Sequence, residues 1–257
     1  MLLAIDIGNT NLTIGLFESE KLIFLARLST DKNRTAEQYA VEISQTALLE
    51  KKSMNTVTGA IISSVVPELT SEIKRAVFLL TGIVPKVLGP ELKNGLDILI
   101  DNPSQLGADL VAGAVAAVYN YEMPCLVMDL GTATKISVLD KNGAYRGCTI
   151  SAGVAISLHA LASSASQLPT VDLNIEKCPA FGTNTISSMQ AGILLGTASM
   201  LDGLCDRIEN ALGEKIKTVV ATGGLSTHIT RHCRRELICE PNLILEGLRI
   251  IYMENTP

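Results

Sequence analysis

Two short acidic loops carry the residue types that phosphate chemistry needs. The first is Asp6-Ile7-Gly8-Asn9-Thr10, continuing through Asn11, Leu12 and Thr13; the second is Asp129-Leu130-Gly131-Thr132-Ala133-Thr134. Each follows an apolar run, which places its aspartate at the end of a buried strand. A carboxylate there is costly unless it meets a cation or hydrogen-bond donors. The glycine lets backbone approach a ligand closely, and Asn9, Thr10, Thr132 and Thr134 add side-chain donors beside backbone N–H groups. Such a loop cradles phosphate oxygens while its carboxylate holds Mg²⁺ directly or through water. One Asp-x-Gly is an ordinary turn, but two at equivalent places in a repeated layout point to a nucleoside triphosphate. A third loop, Thr222-Gly223-Gly224-Leu225, also follows an apolar strand. Its paired glycines suit backbone lying flat against a base or ribose.

Asp109 is the remaining chemical candidate. Asn102-Pro103 breaks the preceding strand and Asp109 falls in the first turns of a helix. A carboxylate there can take the proton of a substrate hydroxyl as it attacks the γ-phosphate, a contribution of about 10²–10⁴-fold. An aspartate at a helix N-terminus also simply stabilises the helix dipole, and spacing alone favours that plainer role.

The elements that must position these residues repeat. In the first half, strands over 1–5, 12–17 and 22–28 precede a helix over 35–52, opened by a Thr35-x-x-Gln38 capping box. A strand over 57–63, a helix after Pro67 and a strand over 85–88 follow. In the second half, strands over 125–128, 135–139 and 144–151 flank an Asn142-Gly143 turn, a hairpin signal. Helices over 154–164 and 187–211 follow, then a strand over 218–221, a further helix and a closing strand over 236–240. A helix over 109–121 joins the halves. The pattern predicts an α/β fold of two similar domains, 1–120 and 121–257, flanking a nucleotide cleft.

Composition narrows the function classes. Apolar residues make up 47% of the 257 and mean hydropathy is +0.32, yet no apolar run reaches the roughly 18 residues of a spanning helix. No membrane partner is expected. With 21 Lys+Arg against 26 Asp+Glu and a pI near 5.3, no broad nucleic-acid surface is expected either. The basic cluster Arg231, Arg234 and Arg235 reads as a solvated helix end. Six cysteines without CxxC spacing or an export signal read as reduced thiols in a cytoplasmic protein. His228, His232 and Cys233 lie close in sequence but lack further ligands at zinc spacing, and His159 is expected to be packed.

At these residues the sequence resembles the type III pantothenate kinases, of the acetate and sugar kinase/Hsc70/actin superfamily. The resemblance runs through DIGNTN at 6–11, SSVVP at 63–67, DNPSQLGAD at 101–109, DLGTAT at 129–134, QLP at 167–169, GTNT at 182–185 and ATGGL at 221–225. It implies two ribonuclease H-like domains, an actin-like ATPase duplication, and ATP-dependent phosphorylation of pantothenate, the first step of coenzyme A synthesis. It implies that Asp6 through Thr13 and Asp129 through Thr134 are phosphate loops, with Thr132, Gly131, Gly223 and Gly224 at ATP and Asp6 on the divalent ion. It makes Asp109 the catalytic base, reversing the reading from spacing. It places K⁺ or NH₄⁺ on Asp129 and lines the pantothenate pocket with Gly107, Ala108, Asp109 and Leu110. Thr185 reaches that pocket from a neighbouring subunit of a homodimer.

Three positions depart from the family pattern: Ile100 stands where Tyr is frequent, Leu110 where Arg follows the catalytic Asp, and Ala152 where Pro is usual. Without the Tyr hydroxyl and the Arg charge, each polar group of the substrate left unpaired costs about 1–3 kcal/mol unless another residue meets it. A same-fold kinase for a related small hydroxylated acceptor is therefore an alternative. A non-catalytic regulatory homologue is another, although Asp6, Asp109 and Asp129 are all retained.

Overall fold

The computed structural model describes residues 1–175 and 177–256. Its first sheet opens with β1 (Leu2–Ile7), β2 (Asn11–Glu18) and β3 (Lys21–Ser29), joined as antiparallel hairpins. The helix α1 (Ala36–Leu49) starts at the expected capping box: Thr35 accepts from the Gln38 N–H while the Gln38 side chain accepts from the Thr35 N–H. Next come β4 (Gly59–Ser64), α2 (Pro67–Thr81) and β5 (Lys86–Val87). Pro67 sits in the first turn of α2, where its missing N–H costs nothing, and Gly82 ends that helix in the left-handed conformation. β1 pairs parallel with β4, giving the order β3-β2-β1-β4-β5.

After α3 (Ala108–Asn120) the grammar repeats. The second sheet contains β6 (Cys125–Leu130), β7 (Ala133–Leu139) and β8 (Tyr145–Ala152), again as antiparallel hairpins. α4 (Val154–Ser164) and α5 (Thr185–Leu212) lead to β9 (Thr218–Thr222), α6 (Ser226–Thr230) and β10 (Ile238–Cys239). Here β6 pairs parallel with β9, and the order β8-β7-β6-β9-β10 reproduces the first sheet strand for strand. The predicted α/β duplication is therefore the architecture observed.

A final helix, α7 (Leu243–Glu254), is an addition to the elements expected from the sequence. It packs on β1, β2 and β4 of the first sheet, burying Leu243, Leu245, Leu248, Ile250 and Ile251. Gly247 makes this docking possible: a Cβ there would overlap the Ala112 carbonyl of α3. By packing, one compact unit comprises Met1–Leu96, Asp101–Ala116 and the segment from Asn242 onward; the other comprises Asp97–Ile100 and Ala117–Pro241. The sequence halves 1–120 and 121–257 coincide with these units only in part.

Each unit has its own aliphatic core. The first gathers Leu3, Ile5, Ile14, Tyr39, Ile43, Ile62, Leu69 and Ile73; the second gathers Leu126, Met128, Ile136, Leu194, Leu201 and Ala221. Two side chains depart from expectation. His159 is exposed on α4, and Arg235, instead of ending a solvated cluster, makes a two-pronged ion pair with the buried Glu209 of α5 at 2.8 and 3.0 Å.

Candidate active site

β1 and β6 are the central strands of their sheets and share one burial pattern. Both are buried along their length except at the penultimate residue, which is Asp6 in one and Asp129 in the other. The register extends the equivalence: Asp6 faces Thr13 across the hairpin and Ser63 on the parallel neighbour, whereas Asp129 faces Lys135 and Thr222. Directly paired residues present their side chains to the same face. Both aspartates thus stand at the carboxyl ends of parallel strands, where open α/β sheets bind ligands.

In the first unit, the loop after Asp6 is held by backbone. The Gly8 N–H donates to the Asn11 carbonyl at 3.0 Å. From beyond β3, the Thr30 hydroxyl donates to the Gly8 carbonyl at 2.6 Å and the Thr30 N–H to the Thr10 carbonyl at 2.9 Å. Asn9, Thr10 and Asn11 remain exposed and Thr13 is half-buried. Ile7 and Leu12 are fully buried core residues, so only their backbone can meet a ligand. Beside this loop, the Val65 N–H donates to the Ile7 carbonyl at 3.0 Å.

Asp109 joins the same neighbourhood. A Cβ on Gly107 would lie 2.6 Å from Asp109 Oδ1 and 3.8 Å from Val65 Cγ1, so the carboxylate folds back over Gly107 close to the strand end. Its Oδ1 accepts the Leu110 N–H at 2.8 Å, at the N-terminal turn of α3. Gly107, Ala108, Asp109 and Leu110 are all half-buried. The structure therefore gathers the Asp6 loop, the Ser63–Val65 strand end and the Gly107–Leu110 turn.

In the second unit, two glycine-bearing segments converge on the Leu130–Thr134 loop. The Gly153 N–H donates to the Thr132 carbonyl at 3.1 Å, and a Cβ at 153 would overlap the carbonyls of Thr132 and Gly131. Gly223, at φ +94°, lies so near Leu130 that a Cβ would be 2.6 Å from its carbonyl carbon. Gly224 and Thr132 are exposed beside it. Gly131 lies over Asp129, with its would-be Cβ 3.2 Å from Asp129 Oδ1. The predicted residues Asp129, Gly131, Thr132, Gly223 and Gly224 are thus brought together.

The two aspartates differ in what surrounds them. Around Asp6 the register partners are oxygen donors, and the Ser63 hydroxyl is buried with no hydrogen-bond partner among the described residues. Hard oxygen donors of this kind suit Mg²⁺, which is usually held by one or two carboxylates together with phosphates and water. Asp129 instead pairs with an ammonium: Lys135 Nζ lies 2.8 Å from its Oδ2, and both side chains are only 16% exposed. That donor set does not fit an added K⁺ or NH₄⁺, because the carboxylate already carries a cation. Lys135 and Gly153 stand beside these loops although no sequence motif singles them out, and Ser63, inside SSVVP, carries no role in the sequence reading. The short loop between β6 and β7 is the signal for Lys135, since it fixes 135 opposite 129.

Thr185 is exposed at the start of α5 and takes no part in the contacts that build the Leu130–Thr134 loop. Asn184 caps that helix by accepting the Ser187 N–H at 3.0 Å. An open cavity of about 480 Å³ runs from Phe181 and Gly182 along the small residues Ser188, Ala191, Gly192 and Gly196 of α5.

Comparison with known proteins agrees with this geometry. The family model described as type III pantothenate kinase matches residues 2–207. A type III pantothenate kinase of Geobacter sulfurreducens is 39% identical over 255 residues, covering 99% of both chains. One from an Exiguobacterium species is 37% identical, again over 99% of both. Among solved structures, the activator of the 2-hydroxyisocaproyl-CoA dehydratase from Clostridium difficile, determined with bound ADPNP, superposes with a TM-score of 0.60 at 14% identity. That match covers 98% of this chain and 94% of that one, and it is a likeness of fold. With its family model matched over most of its length and such relatives aligned end to end, the chain belongs to the type III pantothenate kinases.

Proposed function

We propose that the chain transfers the γ-phosphoryl group of ATP to the hydroxyl of pantothenate, giving 4′-phosphopantothenate, the first step of coenzyme A synthesis. The observation that carries this reading is the equivalent placement of Asp6 and Asp129 at the ends of the two central strands, each followed by a loop with exposed donors.

In this reading the loops spanning Asp6–Thr13 and Asp129–Thr132 hold phosphate oxygens, with Thr132 adding its hydroxyl. Gly223 and Gly224 give the nucleoside a flat backbone surface. Asp6 holds the divalent ion with the Thr13 and Ser63 hydroxyls beside it. Mg²⁺ bound with ATP neutralises charge on the phosphates. Asp109 accepts the proton of the attacking hydroxyl, and the Leu110 N–H on its Oδ1 fixes the orientation of the carboxylate for that role. Gly107, Ala108 and Leu110 shape the pantothenate pocket.

The working form is a homodimer in which Thr185 of the partner chain completes that pocket. Exposed Phe181 and Ile186 beside the small-residue face of α5 support a covering partner there. No helix among the described residues is long and apolar enough to cross a membrane, and the six cysteines are thiols, both compatible with a cytoplasmic enzyme.

The test is ADP release from ATP by purified protein with Mg²⁺, with and without pantothenate. Pantothenate-dependent ADP that disappears on chelating the metal is the expected result; ATP turnover indifferent to pantothenate contradicts the assignment.

A further inference from the structure

We propose that Lys135 is a built-in monovalent cation at Asp129, so that the second phosphate loop works without K⁺ or NH₄⁺. The inference rests on the kinase reading above and concerns how one of its two loops is charged.

The duplication supplies the comparison. At the same register position the first unit pairs its loop aspartate with a hydroxyl, Thr13, and the second pairs it with an ammonium, Lys135. An exposed cross-strand ion pair would be worth little and would be screened by salt. This one is largely buried, with each side chain 16% exposed, at the mouth of a loop built for anions. The two carboxylate oxygens are used differently. Oδ2 takes the Lys135 Nζ at 2.8 Å, while Oδ1 lies beneath Gly131, in the middle of the loop.

Asp129 alone would repel phosphate oxygens approaching the loop at Thr132. A cation on it cancels that charge. A diffusible monovalent ion can do this, but Lys135 does it covalently, at full occupancy and without an entropic cost of binding. A second cation at the carboxylate would meet the ammonium as a like charge. Lys135 acts through Asp129 and the loop, so it is a positioning residue.

The experiment compares salts of equal ionic strength, tetramethylammonium chloride against KCl and NH₄Cl, with Mg²⁺ present throughout. Pantothenate-dependent ADP release by the wild type is expected to stay within about two-fold across the salts; stimulation of about ten-fold or more by K⁺ or NH₄⁺ overturns the proposal while leaving the kinase reading standing. Lys135→Met is expected to lose about ten-fold or more in tetramethylammonium chloride and to regain most of it in KCl or NH₄Cl. Loss that no monovalent cation restores contradicts the role of Lys135 as a substitute ion. Lys135→Thr, which copies the first unit's hydroxyl, serves where the Met variant does not fold.

Thermal unfolding gives a readout independent of catalysis. KCl is expected to raise the melting temperature of the Lys135 variants relative to tetramethylammonium chloride and to leave the wild type unmoved. A K⁺-specific rise in the wild type overturns the proposal whether or not pantothenate is the acceptor.

Discussion

Gly153 donates its N–H to the Thr132 carbonyl at 3.1 Å, and its hydrogen-sized side chain is what allows the turn after β8 to lie flat against the Leu130–Thr134 loop. The contact fixes the backbone of the loop at Thr132. Gly153→Ala forces those carbonyls to move, and kcat/KM for ATP is expected to fall by at least about ten-fold because the loop donors are displaced. Steady-state kinetics with ATP varied at saturating pantothenate, on protein shown by circular dichroism to be folded, checks this.

Asp109 is oriented by the Leu110 N–H at a helix N-terminus, an arrangement that suits both the proposed base and the helix dipole. Asp109→Asn keeps the shape and removes the base, so kcat should drop by about 10²–10⁴-fold with little change in the melting temperature. Were the residue only a helix-stabilising group, kcat would stay within a few-fold of wild type.

α7 depends on a backbone contact. Gly247→Ala drives a methyl into the Ala112 carbonyl, which should cost about 3 kcal/mol and lower the melting temperature by roughly 6–10 °C. Thermal unfolding followed by circular dichroism measures it.

In the second unit, acid stability turns on Glu209. Its bond from Arg235 is the main cause holding its pKa down to about 2, from an ordinary value of 4.5, and donation by the Ile216 N–H adds to this. A depressed folded-state pKa contributes stability that is complete above pH 4.5 and disappears as pH falls through about 2. Glu209→Gln should therefore flatten stability across that window and, at neutral pH, cost about 2 kcal/mol by leaving Arg235 without its buried carboxylate. Urea unfolding from pH 7 down to pH 2 reads both effects.

Much of this was legible in the chain. Apolar runs ending in Asp6 and Asp129, the Thr35–Gln38 box and the Asn142-Gly143 turn are local signals, and the strands, helix and hairpin they predicted are present. What escaped is tertiary. Gly247 inside α7 weakens the helix signal by roughly 1 kcal/mol against Ala, and its reason, the Ala112 carbonyl, lies over a hundred positions away in sequence. Arg235 looked like one more surface cation because Glu209 approaches it only once α5 is folded. Lys135 looked like the start of an ordinary strand because its meaning lies across the hairpin, on Asp129.

Phosphoryl transfer to pantothenate is read best from the product itself. Mass spectrometry of a reaction containing the protein, ATP, Mg²⁺ and pantothenate should show 4′-phosphopantothenate accumulating in equal amount with ADP, and should show almost none with Asp109→Asn. ADP accumulating without phosphorylated pantothenate would refute the transfer, and equal product from the Asp109 variant would refute the base role of Asp109.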